Sequence, residues 1–181
     1  MAVTGLAIGL ISVMGGERQE REQQGNTLWK KTYGGSDYDN VWDLVLMPDG
    51  GALLGGTTRS KGAGDGDMYL VRVDSRGNRL WDKTYGGRKG DGIDSLVLTP
   101  DGGALLWGYT DSKDDMYLVR VDSRGNTLWE KTYGGRKGDG ITSLVLTPDG
   151  GALLGGRTDP KGAGGGDMYL VRVDKANGEF K

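Results

Sequence analysis

Two loops of this chain repeat a six-residue phrase, Gly86-Gly-Arg-Lys-Gly-Asp91 and Gly134-Gly-Arg-Lys-Gly-Asp139. Arg88, Lys89, Arg136 and Lys137, with Asp91 and Asp139 close behind them, are the residue types that hold an anionic or sugar ligand through charge-assisted hydrogen bonds. A turn accounts for the same residues: Gly supplies unusual dihedrals, Asp bonds its own backbone, and the basic side chains are solvated. The matching loop Gly34-Gly-Ser-Asp-Tyr-Asp39 lacks the cations. Asp65 and Asp67 in Gly-Asp-Gly-Asp are oxygen donors of the kind a calcium loop uses, yet the spacing is not that of an EF-hand. The corresponding residues later in the chain are Gly165 and Asp167. The glycine-rich stretch 62–66 lacks the Gly-Lys-Ser/Thr ending of a phosphate loop and precedes a strand, which excludes nucleotide binding by that route.

Composition removes most catalytic chemistry. The 181 residues include no Cys and no His. Thiolate nucleophiles, thiolate metal sites and disulfides are therefore excluded, as are His-based triads and imidazole ligands. Glu occurs only at 17, 20, 22, 130 and 179. A glycosidase pair could come from Asp, but catalysis usually breaks repeat symmetry at one place, and the departures from the repeat here are a loop deletion and the substitutions Trp107 and Tyr109. We expect no catalytic residues and no cofactor. Lys and Arg number 23 against 25 Asp and Glu, a formal net charge of -2. That balance gives no electrostatic footprint for nucleic acid.

The elements that position these loops come from internal repetition. Asp-Met-Tyr-Leu-Val-Arg-Val-Asp begins at 67, 115 and 167; Pro-Asp-Gly-Gly-Ala-Leu-Leu at 48, 100 and 148; Leu-Trp-x-Lys-Thr-Tyr-Gly-Gly at 28, 80 and 128. Spacings of 48 and 52 residues follow, and the difference of four lies in Ser112-Lys-Asp-Asp, where the other repeats carry eight residues. A loop absorbs such a deletion and a strand ladder does not.

Each repeat reads as four short strands. Strand A is expected over 41–46, 93–98 and 141–146, and strand B over 51–57, 103–109 and 151–157. Strand C is Met-Tyr-Leu-Val-Arg-Val and strand D is Leu-Trp-x-Lys-Thr-Tyr. Pro-Asp-Gly-Gly is a tight hairpin turn between A and B. Strand C is apolar on both faces apart from its Arg, so it should be covered on both sides. Arg72, Arg120 and Arg172 recur in every repeat, which favours a structural ion pair over a site. Trp107 and Tyr109 replace Gly155 and Arg157 of repeat three; they suit either stacking on a sugar or filling the space beside the shortened loop.

Four antiparallel strands per repeat of 40–50 residues indicate β-propeller blades. The strings Trp-x-Lys-Thr-Tyr-Gly-Gly, Asp-Gly-Gly, Gly-x-Thr and Tyr-Leu-Val-Arg-Val-Asp-x-x-Gly-Asn resemble the bacterial and archaeal seven-bladed β-propeller repeat family. The resemblance covers residues 26–181 and recurs three times. It implies an all-β propeller fold and an extracellular or cell-surface location. It carries over no catalytic residues, and this chain departs from the family in having three repeats.

The expected organisation is an N-terminal extension over 1–25 followed by blades over 26–181. Strand D over 26–33 comes first, then blade one (41–85), blade two (93–133), and blade three (141–181) without its own last strand. Three blades do not close a ring, since propellers have four to eight. A lone D at one end and a lone A-B-C at the other therefore predict that copies join by strand exchange, into a closed six-bladed ring or an open filament. The competing reading is an excerpt of a longer propeller. Leu28, Trp29, Tyr33 and Phe180 are the expected interface residues. Residues 2–14 form an apolar run of thirteen, short of the roughly 20 needed to span a bilayer. As a helix or an added strand, this run would bring Leu6, Ile8, Leu10 and Ile11 to the same interface; packing on the chain's own blades accounts for it equally well. The expected function is that of a non-enzymatic, self-assembling protein of the cell exterior whose partners are copies of itself. A glycan-binding module using the Gly/Lys/Asp loops is the alternative.

Overall fold

The structure, a computed structural model, describes residues 27–110, 115–133, 140–158 and 166–178. The extension over 1–25, with Leu6, Ile8, Leu10 and Ile11, lies outside the described residues, as do Arg136, Lys137, Asp139 and Phe180.

The described chain is all-β, without a helix. Blade one comprises β1 (Asp39–Leu46), β2 (Ala52–Thr58), β3 (Asp67–Val73) and β4 (Arg79–Tyr85). Blade two comprises β5 (Asp91–Leu98), β6 (Ala104–Thr110), β7 (Asp115–Val121) and β8 (Thr127–Tyr133). Blade three comprises β9 (Gly140–Leu146), β10 (Ala152–Thr158) and β11 (Asp167–Val173). Each blade is an antiparallel meander, and the sheet orders are β1-β2-β3-β4, β5-β6-β7-β8 and β11-β10-β9. These are propeller-like blades, side by side and not closed into a ring.

The local reasons repeat with the sequence. In blade one Gly50 has φ of +81°, a backbone state that side chains resist. The Met47 N–H donates to the Gly51 carbonyl at 2.8 Å, and the Asp49 carboxylate accepts from the Gly51 N–H at 3.0 Å. The turn phrase thus closes the A–B hairpin. Each first strand carries a β-bulge, between Val41 and Asp43 and between Ile93 and Ser95. A bulge bends and twists its strand, which suits a splayed blade.

Strand C behaves as its composition demands. β3 is buried along its whole length. Met68 and Leu70 join Tyr85, Ile93, Leu96, Leu106, Tyr117 and Val119 in a core between blades one and two. Met116 and Leu118 join Tyr133, Ile141, Leu144, Leu154 and Val171 between blades two and three.

Two expectations change. First strands begin at Asp39 and Asp91, two residues before the expected 41 and 93, because Asp39 pairs with Thr58 and Asp91 with Thr110. Residues 27–33, the described part of the expected strand D, form no strand. A strand needs a ladder partner for its backbone groups, and none of the described strands offers this segment one.

Candidate functional site

The blades are joined by one repeated device. The Tyr85 hydroxyl donates to the Gly125 carbonyl at 2.8 Å, and the Tyr133 hydroxyl donates to the Gly178 carbonyl. In both cases the last strand of one blade rests on the C–D turn of the next. The indole lies on the same glycine: a Cβ added to Gly125 would stand 2.8 Å from Cζ3 of Trp81, and one added to Gly178 2.7 Å from Cζ3 of Trp129. Both glycines have positive φ, +76° and +67°. Only glycine meets both demands, the left-handed backbone and the indole lying on its α-carbon. The Asp-Ser-Arg-Gly-Asn phrase marks the turn, but nothing in the sequence says that Trp and Tyr rest on it, since partners lie 40 residues apart or more.

Residues 27–33 reproduce this device at the front of blade one. The Tyr33 hydroxyl donates to the Gly77 carbonyl at 2.8 Å, and Trp29 covers Gly77. This segment therefore sits where the last strand of a preceding blade belongs. Leu28 and Trp29 remain exposed, whereas Tyr33 is half-buried. Beside it lies a socket lined by Tyr33, Val41, Leu54, Tyr69 and Val71. The corresponding residues at the joint between blades one and two are Tyr85 at the end of blade one and Ile93, Leu106, Tyr117 and Val119 of blade two, which enclose Met68 and Leu70. Among the described residues the socket of blade one receives no such pair: Val41 is 52% and Leu44 61% exposed, against 0% for Ile93 and 2% for Leu96.

Blade three shows the complementary face. Met168 is 100% and Leu170 69% exposed, whereas Met68 and Leu70 are both at 0%. β11 is an edge strand of its sheet, with no partner on its outer side among the described residues. Among the described residues the two ends are thus a socket without a plug and a plug without a socket. Large exposed apolar faces of this kind mark interaction surfaces.

The arginine row is structural, as its recurrence indicates. Arg72 pairs with Asp49, Arg120 with Asp101 and Arg172 with Asp149, each within one blade. Nη2 of Arg120 donates to both carboxylate oxygens of Asp101, at 2.7 and 2.6 Å, while its Nη1 donates to backbone carbonyls of Ala104 and Val121. The Thr99 hydroxyl, with Arg120 and the Gly103 N–H behind it, holds the Asp101 carboxyl at about 2. Thr147 and the Gly151 N–H do the same for Asp149, also at about 2. Burial pushes the Tyr85 hydroxyl up and that of Tyr133 to about 12.

The loop face brings some expected residues together and removes another. Arg88 and Lys89 are exposed. Asp91 is fully buried, and its carboxylate accepts from the Gly87 N–H at 2.6 Å. Asp39 plays the same part in blade one, taking the Gly35 N–H at 2.9 Å and the Ser60 hydroxyl at 2.8 Å. This Asp closes its own loop. The D–A loop and the preceding blade's B–C loop meet, with the Asp91 N–H donating to the Gly66 carbonyl at 2.8 Å. Asp67 is buried and accepts from the Gly64 N–H at 3.2 Å. Trp107 fills the joint between blades two and three, whereas Tyr109 stays 42% exposed. Among the described residues no helix is long and apolar enough to cross a membrane.

No family model and no curated protein matches the chain. Among solved structures, the hydrazine synthase of Kuenenia stuttgartiensis superposes with a TM-score of 0.52 at 13% identity, covering 72% of this chain. The chain spans 38% of the length of that protein. A protein of unknown function from Bacteroides caccae gives a TM-score of 0.32 at 13% identity, over 77% of this chain and 65% of that one. The first likeness is one of fold alone, a β-propeller-like all-β arrangement.

Proposed function

We propose that this protein is a non-enzymatic, self-assembling structural protein of the cell exterior whose copies join head to tail through their terminal blades. The observation that carries this reading is the match between the two open faces. Met168 and Leu170 of one copy fit the socket of Tyr33, Val41, Leu54, Tyr69 and Val71 in the next, as Met68 and Leu70 fit blade two. Residues 27–33 of that next copy then add to the outer edge of β11. The register follows from blade one, where Leu70 faces Lys83 and Arg72 faces Trp81; by repeat, Leu170 faces Lys31 and Arg172 faces Trp29. Main-chain hydrogen bonds and a buried aromatic anchor are how strand addition gains affinity.

Each joint so formed repeats the joints inside the chain. Two copies supply six blades, within the range that closes a ring, and an unclosed rotation gives a fibre. The absence of His and Cys from the sequence supports a structural role over a catalytic one. The resemblance of the repeats to those of seven-bladed bacterial and archaeal propellers supports the cell exterior as the location.

The test exploits the lack of native cysteine. Directly opposed residues of an antiparallel pair lie about 4.5–5.5 Å apart at Cα, within disulfide reach. A Lys31→Cys/Leu170→Cys double variant should give a ladder of covalent dimers and higher species under mild oxidation, collapsing on reduction. Each single variant should give no ladder. Oxidised double variant running only as monomer would contradict strand addition between copies.

A further inference from the structure

Thr57 and Tyr109 occupy the same position in repeats one and two, and the two side chains meet across the joint between those blades. A Cβ added to Gly92 would stand 2.6 Å from Cε1 of Tyr109 and 2.8 Å from Oγ1 of Thr57. The glycine leaves room for the ring to lie beside the hydroxyl. That hydroxyl is buried with no hydrogen-bond partner among the described residues. The third repeat carries Arg157 here, so the aromatic is a departure from the repeat confined to one joint. A residue that serves the blade recurs in every blade; this one does not.

A cleft of about 460 Å³ opens at this place, lined by Thr57, Arg59, Asp65, Lys89 and Tyr109. That volume is in the range of small-ligand sites, and the lining is mainly polar, with Tyr109 as its aromatic surface. The backbone on both sides is fixed, since the Asp91 N–H donates to the Gly66 carbonyl at 2.8 Å. The Arg59 guanidinium stands 6.0 Å over the Tyr38 ring. Neither Arg59 nor Lys89 forms an ion pair with any described residue. The charged residues lining the cleft are two cations, Arg59 and Lys89, and one carboxylate, Asp65; the nearby acids Asp67 and Asp91 are buried, their carboxylates turned to the backbone N–H groups of Gly64 and Gly87.

We propose that this cleft binds a uronic acid residue of an acidic glycan. The exposed Tyr109 ring takes the C–H face of the pyranose, as aromatic side chains do with their apolar faces. Arg59 and Lys89 donate to the sugar carboxylate, and Asp65 accepts from ring hydroxyls. The cleft lies within one chain, so it forms with or without assembly, and its test is independent of the head-to-tail reading.

The experiment is calorimetric titration of the full chain with a galacturonic acid trisaccharide, and with the neutral galactose trisaccharide as control. The acidic sugar should bind saturably and at least about tenfold more tightly than the neutral one. Tyr109→Thr restores blade one's residue at this position and is therefore compatible with the fold; it should weaken acidic-sugar binding about tenfold. Arg59→Ala/Lys89→Ala should abolish the preference for the acidic sugar while circular dichroism stays unchanged. No saturable binding at millimolar sugar, equal binding of both sugars, or full affinity in Tyr109→Thr would overturn the proposal.

Discussion

The Tyr85 hydroxyl donates to the Gly125 carbonyl across the joint between blades one and two. Trp81 lies on the same glycine, whose φ is +76°. One residue of blade two thus carries both anchors of blade one's last strand. The same joint recurs with Tyr133 and Gly178, and residues 29–33 repeat it against Gly77. A structural unit that appears once per blade is the means by which a row of sheets holds its spacing.

Gly125→Ala should destabilise the chain by about 1–3 kcal/mol, because Ala resists the left-handed backbone and its methyl meets the Trp81 ring. Tyr85→Phe should cost about 1–2 kcal/mol, since it leaves a buried carbonyl unsatisfied. Urea denaturation followed by tryptophan fluorescence checks both. Ser123→Ala in the same turn is the control and should change the midpoint little, since surface substitutions are usually within about 0.5 kcal/mol.

Leu70 and Leu170 share a repeat position and differ in burial, 0% against 69% exposed. Leu70→Ala should cost about 2–5 kcal/mol of folding stability, the range for a fully buried leucine. Leu170→Ala should leave the stability of a dilute monomer within about 0.5 kcal/mol, yet weaken association. Chemical denaturation at low concentration, paired with sedimentation at high concentration, separates the two effects.

The carboxyls of Asp101 and Asp149 are held near 2, below the ordinary carboxylate value of about 4. A depressed folded value contributes stability above the unfolded value, lost as pH falls through the folded one. Stability should therefore decline between about pH 4 and pH 2, and Asp101→Asn should flatten that decline. Burial raises the Tyr133 hydroxyl to about 12, so its contribution is present below about pH 10 and lost as pH rises to 12. Thermal melts across both windows, with tyrosinate absorbance at the alkaline end, test the two signs.

Much of this architecture is legible in the residues. Repetition of Pro-Asp-Gly-Gly and of the Met-Tyr-Leu-Val-Arg-Val strand locates the hairpins and the covered strand. The arginine row is paired with the Asp of its own turn, as a feature present in every blade should be. What escapes the sequence is long-range. Trp81 and Tyr85 alternate onto one strand face, but which turn they touch depends on how neighbouring blades lie. Residues 27–33 carry strand composition and form no strand, because pairing is a property of two segments. Asp91 looks like a loop-face ligand and is instead buried, its carboxylate satisfying the Gly87 backbone. Tyr109 stands out in the sequence as a departure from the repeat, but that it shares a cleft with Arg59 and Lys89 does not.

Met168 and Leu170, against the socket of Tyr33 and Val41, are most directly tested by mixing two crippled chains. Leu170→Asp removes the plug and Val41→Asp spoils the socket, so each variant keeps one working end. Native mass spectrometry should find wild-type dimers or polymers, each variant alone as monomer, and the mixture as one-to-one heterodimer. Wild-type protein that stays monomeric at every concentration, or variants that assemble as the wild type does, would contradict head-to-tail joining.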